Sequence, residues 1–323
     1  MDANKVGKAI AFLRRKKGYT QNKLAEKLGV SDKAVSKWER GLGVPDVSLL
    51  AKLSIILDTD IESLLNGDIL HNGQQWCGIL MLDQEENETI YAGTILHDKP
   101  IIHYLLSYFM LVGIKNILIF SALRSYEYIE NLCKSENKWG IRIENVLYEN
   151  TFASEKYINI KNYVANRNVV LIKGYNFIYG TDVTKYMQRA MVKPEVSTIL
   201  CLLYKVDDQS KRISYDTNLK IVNLDSAEKV ESLDEYYTAP MLFISKEVFN
   251  KGSFSLYDPV QSLLDPKNFR KAEAELIGRG LIFVKLKNRD DIQNASKVIK
   301  FIQDTQRIKI ADLVEIAMRR GLL

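Results

Sequence analysis

The sequence predicts two domains of different class: an all-α, five-helix domain over residues 1–66 and an α/β domain with a mostly parallel sheet over residues 76–323. Three observations lead there. Up to position 66 the apolar residues recur at spacings of three and four, as on one face of a helix. Beyond position 76, short apolar runs alternate with amphipathic segments, the pattern of βαβ units. Basic charge is also concentrated: residues 1–66 hold 12 Lys/Arg against 8 Asp/Glu, whereas the remainder holds 33 against 32. A small basic module beside a near-neutral body implies a polyanion partner for the module alone.

In chain order, Val6, Ile10 and Leu13 mark the buried face of a first helix that ends in Arg14-Arg15-Lys16-Lys17 and is broken by Gly18. Thr20 is a good cap for a second helix over Gln21–Leu28, with Leu24, Ala25 and Leu28 inward. Ser31 caps a third helix from Asp32 to Arg40, anchored by Val35 and Trp38. Pro45-Asp46 opens a fourth with Leu49, Leu50 and Leu53, and Ile61–Leu65 is a fifth, closed by Asn66-Gly67. Residues 67–75 read as a polar, glycine-punctuated linker. Strands are then expected at Cys77–Leu82, Ile117–Ser121, Ile141–Leu147, Val169–Lys173, Val196–Tyr204, Ile221–Leu224, Met241–Ile244 and Leu281–Lys285. Helices are expected at Ile101–Val112, Tyr126–Lys134, Lys156–Val164 and Val183–Met191, with two more, Ile292–Thr305 and Ile310–Arg319, closing the chain.

A hydrophobic fraction of 46% in 323 residues excludes a disordered or low-complexity chain and suits two folded domains. No apolar run approaches the ~20 residues that a membrane span needs, and the polar, basic Met1–Lys17 does not read as a signal peptide. Three scattered cysteines, Cys77, Cys133 and Cys201, imply free thiols in a reducing compartment, so a cytoplasmic protein without a membrane partner is expected.

The first module has the parts of a helix-turn-helix. Gly29-Val30-Ser31 supplies the short turn, Ala25 permits close packing, and Val35 with Trp38 fixes the second helix. That leaves Asp32, Lys33, Ser36 and Lys37 on the outer face that enters a major groove. Lys33 and Lys37, four apart, project from the same side toward base edges or phosphates. Gln21 opens the preceding helix, where its amide and the helix dipole favour a phosphate. The run Lys17-Gly18-Tyr19-Thr20-Gln21, Leu24-Ala25, Leu28-Gly29-Val30-Ser31, Val35-Ser36-Lys37-Trp38-Glu39-Arg40-Gly41 and Pro45-Asp46 resembles the Cro/C1-type (XRE, lambda repressor-like) helix-turn-helix family. The resemblance implies a phosphate contact at Gln21, base reading at Asp32, Lys33, Ser36 and Lys37, and a backbone contact at Arg40. Trp38 and Glu39 read as fold residues.

From residue 77 a second resemblance begins. Gly78-Ile79-Leu80, Asp98-Lys99-Pro100-Ile101-Ile102-His103-Tyr104, Leu111-Val112-Gly113-Ile114-Lys115, Ile117-Leu118-Ile119, Trp139-Gly140, Leu171-Ile172-Lys173-Gly174-Tyr175-Asn176 and Ile277-Gly278-Arg279-Gly280 are similar in order to sugar-phosphate nucleotidyltransferases of the glucose-1-phosphate thymidylyltransferase type, a Rossmann-like fold. Their chemistry needs a glycine-rich phosphate loop, two Mg²⁺-binding carboxylates and a lysine for the sugar phosphate. Where the loop belongs, this chain reads Leu82-Asp83-Gln84-Glu85-Glu86-Asn87-Glu88, four acids and no glycine. The carboxylate positions fall on Tyr175 and Lys285, neither a Mg²⁺ ligand, and Lys229 is only a loose match for the lysine. His71, His97 and His103 belong to no ligand motif, and the adjacent pairs Asp207-Asp208 and Asp290-Asp291 suit turns or surface. No catalytic residue, metal ligand or cofactor is therefore expected.

Together these readings make the chain a DNA-binding transcriptional regulator with an inactive nucleotidyltransferase-like domain. That domain is expected to serve dimerisation or the sensing of a sugar-phosphate or nucleotide-sugar ligand. The partners are a double-stranded operator and a second copy of the chain, joined mainly through residues 76–323 because the basic module looks polar outside. The rivals are a divergent transferase with an autoregulatory head and a module that docks on an active enzyme of sugar-nucleotide metabolism.

Overall fold

The computed structural model describes residues 2–57, 59, 61–66, 76–82, 90–136, 139–147, 163–164, 167–180, 182–192, 199–205, 212–215, 221–225, 237–250, 272–277 and 280–323. Packing divides the chain into two compact units, Met1–His71 and Asn72–Leu323. The expected linker at 67–75, the loop at 83–89, most of the expected helix Lys156–Val164, His71, Asp207-Asp208, Lys229 and Gly278-Arg279 lie outside the described residues.

The first unit is helical: α1 (Ala3–Lys16), α2 (Gln21–Leu28), α3 (Asp32–Glu39), α4 (Val47–Leu57) and α5 (Ile61–Asn66). Local chemistry sets the boundaries. The Thr20 hydroxyl accepts from the Lys23 N–H and the Ser31 hydroxyl from the Ala34 N–H, capping α2 and α3. Helix α3 ends one residue earlier than its sequence pattern, because Arg40 forms the cap at φ −85°, ψ 0°. Val6, Ile10, Leu13, Leu24, Leu28, Val35, Trp38, Leu50, Leu53, Leu57 and Leu64 close one buried core. Helix α1 crosses α3 closely: a Cβ on Gly7 would stand 2.0 Å from the Trp38 carbonyl oxygen, so only glycine fits.

The second unit is built on a seven-stranded sheet. In chain order its elements are β1 (Trp76–Leu82), β2 (Ile95–Leu96), β3 (Lys99–Pro100), α6 (Ile101–Leu111), β4 (Asn116–Ser121), α7 (Leu123–Glu136), β5 (Arg142–Leu147), β6 (Asn168–Lys173), β7 (Asn176–Tyr179), α8 (Val183–Val192), β8 (Ile199–Lys205), β9 (Arg212–Tyr215), β10 (Ile221–Asp225), β11 (Tyr237–Ile244), α9 (Lys246–Asn250), β12 (Ala272–Leu276), β13 (Ile282–Lys285), α10 (Arg289–Gln306) and α11 (Leu313–Arg320). The sheet order is β12-β8-β11-β6-β1-β4-β5, and within it β11 alone runs against its neighbours. The mostly parallel α/β architecture is thus as the sequence patterning implies. Strand β1 is buried at all seven positions, as a strand covered on both faces must be. The last helix starts at Leu313, later than its apolar pattern, because Ala311 takes φ +54° and the Asp312 carboxylate caps the Glu315 N–H. Among the described residues no helix is long and apolar enough to cross a membrane.

Candidate nucleic-acid interface and transferase centre

In the first unit, six side chains meet on one face. Gln21 stands at the start of α2, Asp32, Lys33, Ser36 and Lys37 on α3, and Arg40 at its cap. With Leu42 they line a single surface groove of about 460 Å³. These are the six residues singled out in the sequence, joined by one that was not. Leucine reads as core in a sequence, yet Leu42 is 61% exposed. Three cations against the one carboxylate of Asp32 make the groove a positive surface. Ser31, Ala34 and Val35 keep α3 rigid behind it: the Asp32 carboxylate takes the Lys33 N–H at 2.8 Å, and the buried Val35 and Trp38 hold the inner face.

Gln21 does not stand alone. Its Nε2 donates to Glu39 Oε2 at 2.8 Å, leaving a second amide N–H for a phosphate. Glu39 also accepts from Arg14 Nε and Nη2 at 2.5 and 3.0 Å, a bidentate pair. Arg14 Nη1 in turn donates to the Tyr19 carbonyl at 2.6 Å. Burial pushes the Glu39 carboxyl up, but the hydrogen bonds from Arg14 and Gln21 outweigh it and hold it below the usual range. Glu39 thereby ties α1, the start of α2 and the end of α3 together, and sets the Gln21 amide.

The head is not polar throughout. Leu42, Val44, Val47, Ile55 and Ile61 are exposed, Val47 and Ile55 at 77% and 80%. The expectation that it offers little apolar surface does not hold, because α4 is apolar enough to bury Leu50, Leu53 and Leu57 and still leave apolar groups outside. The larger unit exposes Phe301, Ile308, Val314, Met318 and Leu323 on or beside α10 and α11.

In the second unit, the two positions that the transferase resemblance assigns to metal carboxylates come together across the pair β7–β13. Lys285 lies opposite Asn176, and the Leu286 N–H donates to the Tyr175 carbonyl at 2.8 Å. Neither position carries a carboxylate. Lys285 is exposed. Tyr175 is fully buried, its hydroxyl 2.8 Å from Ser125 Oγ, which itself accepts the Ala92 N–H at 2.9 Å. Asn176 donates through Nδ2 to the Lys173 carbonyl at 2.7 Å, and its buried Oδ1 accepts no hydrogen bond among the described residues.

The remaining chemistry-bearing groups are dispersed. Asp98 accepts from Lys99 and Tyr104 at 2.5 and 2.9 Å. His97 sits in the β2–β3 turn at φ +62°, and His103 packs edge-on to Trp139 at 5.4 Å. Burial pushes the Cys77 thiol up to about 12 and raises that of Cys133, so neither is a ready nucleophile. No group of three His, Cys, Asp or Glu side chains suited to a metal occurs among the described residues.

Comparison with known proteins agrees with both halves. A helix-turn-helix family matches residues 10–64, and the nucleotidyl transferase family matches residues 94–260. A glucose-1-phosphate thymidylyltransferase of Neisseria gonorrhoeae is 24% identical over 237 residues, covering 71% of this chain and 81% of that one. The HTH-type transcriptional regulator SinR of Bacillus licheniformis is 40% identical over 62 residues, 19% of this chain and 56% of that one. Among solved structures, the inositol-1-phosphate CTP transferase from T. maritima superposes with a TM-score of 0.51 at 14% identity, covering 71% of this chain and 96% of that one, a likeness of fold. The chain belongs to the nucleotidyl transferase family and carries a helix-turn-helix domain at its N-terminal end.

Proposed function

We infer that this protein is a sequence-specific, DNA-binding transcriptional regulator acting in the cytoplasm. The observation that carries the reading is the groove in which Gln21, Asp32, Lys33, Ser36, Lys37 and Arg40 converge. Lys33 and Lys37 read base edges with Asp32 and Ser36, while Gln21 and Arg40 hold phosphates. The nucleotidyltransferase-like domain does not transfer nucleotides. Supporting this are the tyrosine and lysine at the carboxylate positions and the acidic, glycine-free segment 82–88 in place of a phosphate loop. The domain serves instead to pair two heads, or to sense a sugar-phosphate or nucleotide-sugar ligand. The working unit is a homodimer, because one head of this size spans about one half-site and operators present two, ~34 Å apart.

Selection of duplex DNA from a random library by the full chain tests the reading. An enriched sequence is expected. Lys33→Ala with Lys37→Ala should lower affinity for it by roughly 1–3 kcal/mol per base contact. Gln21→Ala or Arg40→Ala should weaken binding evenly across sequences. Unchanged affinity in the double variant would sink the assignment. Sedimentation of the same preparation tests the second copy: a monomer that binds one half-site at full affinity removes the dimer.

The rival, a divergent transferase with an autoregulatory head, draws on the 81% of the thymidylyltransferase's length that the chain matches. Turnover assays separate the two.

A further inference from the structure

Backbone hydrogen bonds tie the loop that follows α3 back to the helix. The Gly41 N–H donates to the Trp38 carbonyl at 2.9 Å and the Leu42 N–H to the Lys37 carbonyl at 3.0 Å. Gly41 takes φ +71°, and a Cβ there would meet Asn4 Oδ1 at 2.1 Å, so the turn requires glycine at this position. Next along the chain, a Cβ on Gly43 would lie 3.4 Å from Lys37 Cε and 3.8 Å from Cδ. The aliphatic stem of Lys37 therefore runs along this loop beside Gly43, and Leu42, bonded through its N–H to the Lys37 carbonyl, lines the same groove.

Leu42 is the one apolar side chain lining the groove, and it is 61% exposed. A lone exposed leucine on a protein surface calls for no explanation. This one is fixed among Lys33, Lys37 and Arg40, where an apolar protein partner would have to bury three cations. DNA instead supplies the phosphates and base acceptors those cations pair with. In the major groove of DNA, the apolar feature at a base edge is the thymine C5-methyl.

We propose that Leu42 is a specificity-determining residue of the DNA interface, seating its isobutyl group on a thymine methyl beside the base pair that Lys37 reads. The inference rests on the DNA-binding reading above. Phosphate contacts ignore sequence, so a leucine at the end of the recognition surface adds one letter that the cations cannot read.

The test uses the full chain and the duplex that it selects. Each thymine is replaced in turn by deoxyuridine, which removes only the methyl group. One position is expected at which the unmodified protein loses about fourfold in affinity, the worth of one methyl taken out of water. Leu42→Ala should lose a similar factor on the thymine duplex and less than about twofold further on the deoxyuridine duplex at that position. Because Leu42 is exposed, the variant keeps the fold, which its binding to the deoxyuridine duplex reports directly. A flat deoxyuridine scan, or a Leu42→Ala protein with undiminished sensitivity to the same methyl, overturns the proposal while leaving DNA binding intact. Failure to enrich any sequence overturns the DNA-binding reading, and the proposal with it.

Discussion

In the head, the six side chains with the chemistry of DNA contact stand outside the packed core, while Val35 and Trp38 of the same helix form that core. In the larger unit, Tyr175, which the transferase resemblance assigns to the first metal-carboxylate position, is itself part of the core, its hydroxyl 2.8 Å from Ser125 Oγ. The difference separates side chains left on a surface from a side chain committed to packing. A surface that still meets a partner needs side chains that folding does not use. A side chain taken up by packing, such as Tyr175, presents no free group to a ligand at that point.

The comparison is sharpened first at Glu39, the residue where the head's packing and its contact surface meet. Glu39→Ala leaves Arg14 of this partly buried pair without its carboxylate and should cost the head about 1–3 kcal/mol in denaturant unfolding. The same carboxylate sets an acid limit. Its pKa is depressed in the folded head, so its contribution is present above the unfolded value of about 4.3 and is lost as pH falls through the lower, folded value. A head equally stable at pH 3 and pH 6 would show that the Arg14–Glu39–Gln21 network contributes nothing.

At the other end of the scale, an absence of effect is expected. No pyrophosphate should be released from any nucleoside triphosphate with hexose 1-phosphates and Mg²⁺. Tyr175→Asp with Lys285→Asp should leave that unchanged, because the segment 82–88 would still carry four acids and no glycine where the resemblance expects a phosphate loop. Multiple turnover by the unmodified chain, lost on a single site substitution, would erase the contrast between the two units.

How much of this was written in the sequence depends on the range of the interactions involved. Helix α2 is legible to the residue because Thr20 and Gly29 act within one turn of it. The central strands β1, β4 and β6 are legible as short, continuous apolar runs. Strand β7 was not foreseen: Asn176–Tyr179 follows β6 after two residues and owes its existence to β13, more than a hundred residues away. The β2–β3 pair, two residues each, is too short to show a period. At the site, the polar residues of α3 were legible from helix spacing. Leu42 was not, since neither its exposure nor its place beside Lys37 follows from residue type. The Gln21–Glu39 bond joins two helices and was equally hidden.

The separation of contact residues from packing on α3 has a consequence for how such a protein changes over time. Asp32, Lys33 and Lys37 are exposed and Ser36 half-buried, while Val35 and Trp38 are 0% and 7% exposed. If those residues read DNA as proposed, exchanging Lys33 or Lys37 would alter the preferred sequence while the core stays as it is, since surface substitutions away from caps and cores seldom move stability by more than ~0.5 kcal/mol. On the DNA-binding reading proposed above, the head would be re-addressable: a duplicated copy of the chain could change its preferred duplex through exposed positions such as Lys33 and Lys37, which lie outside the core.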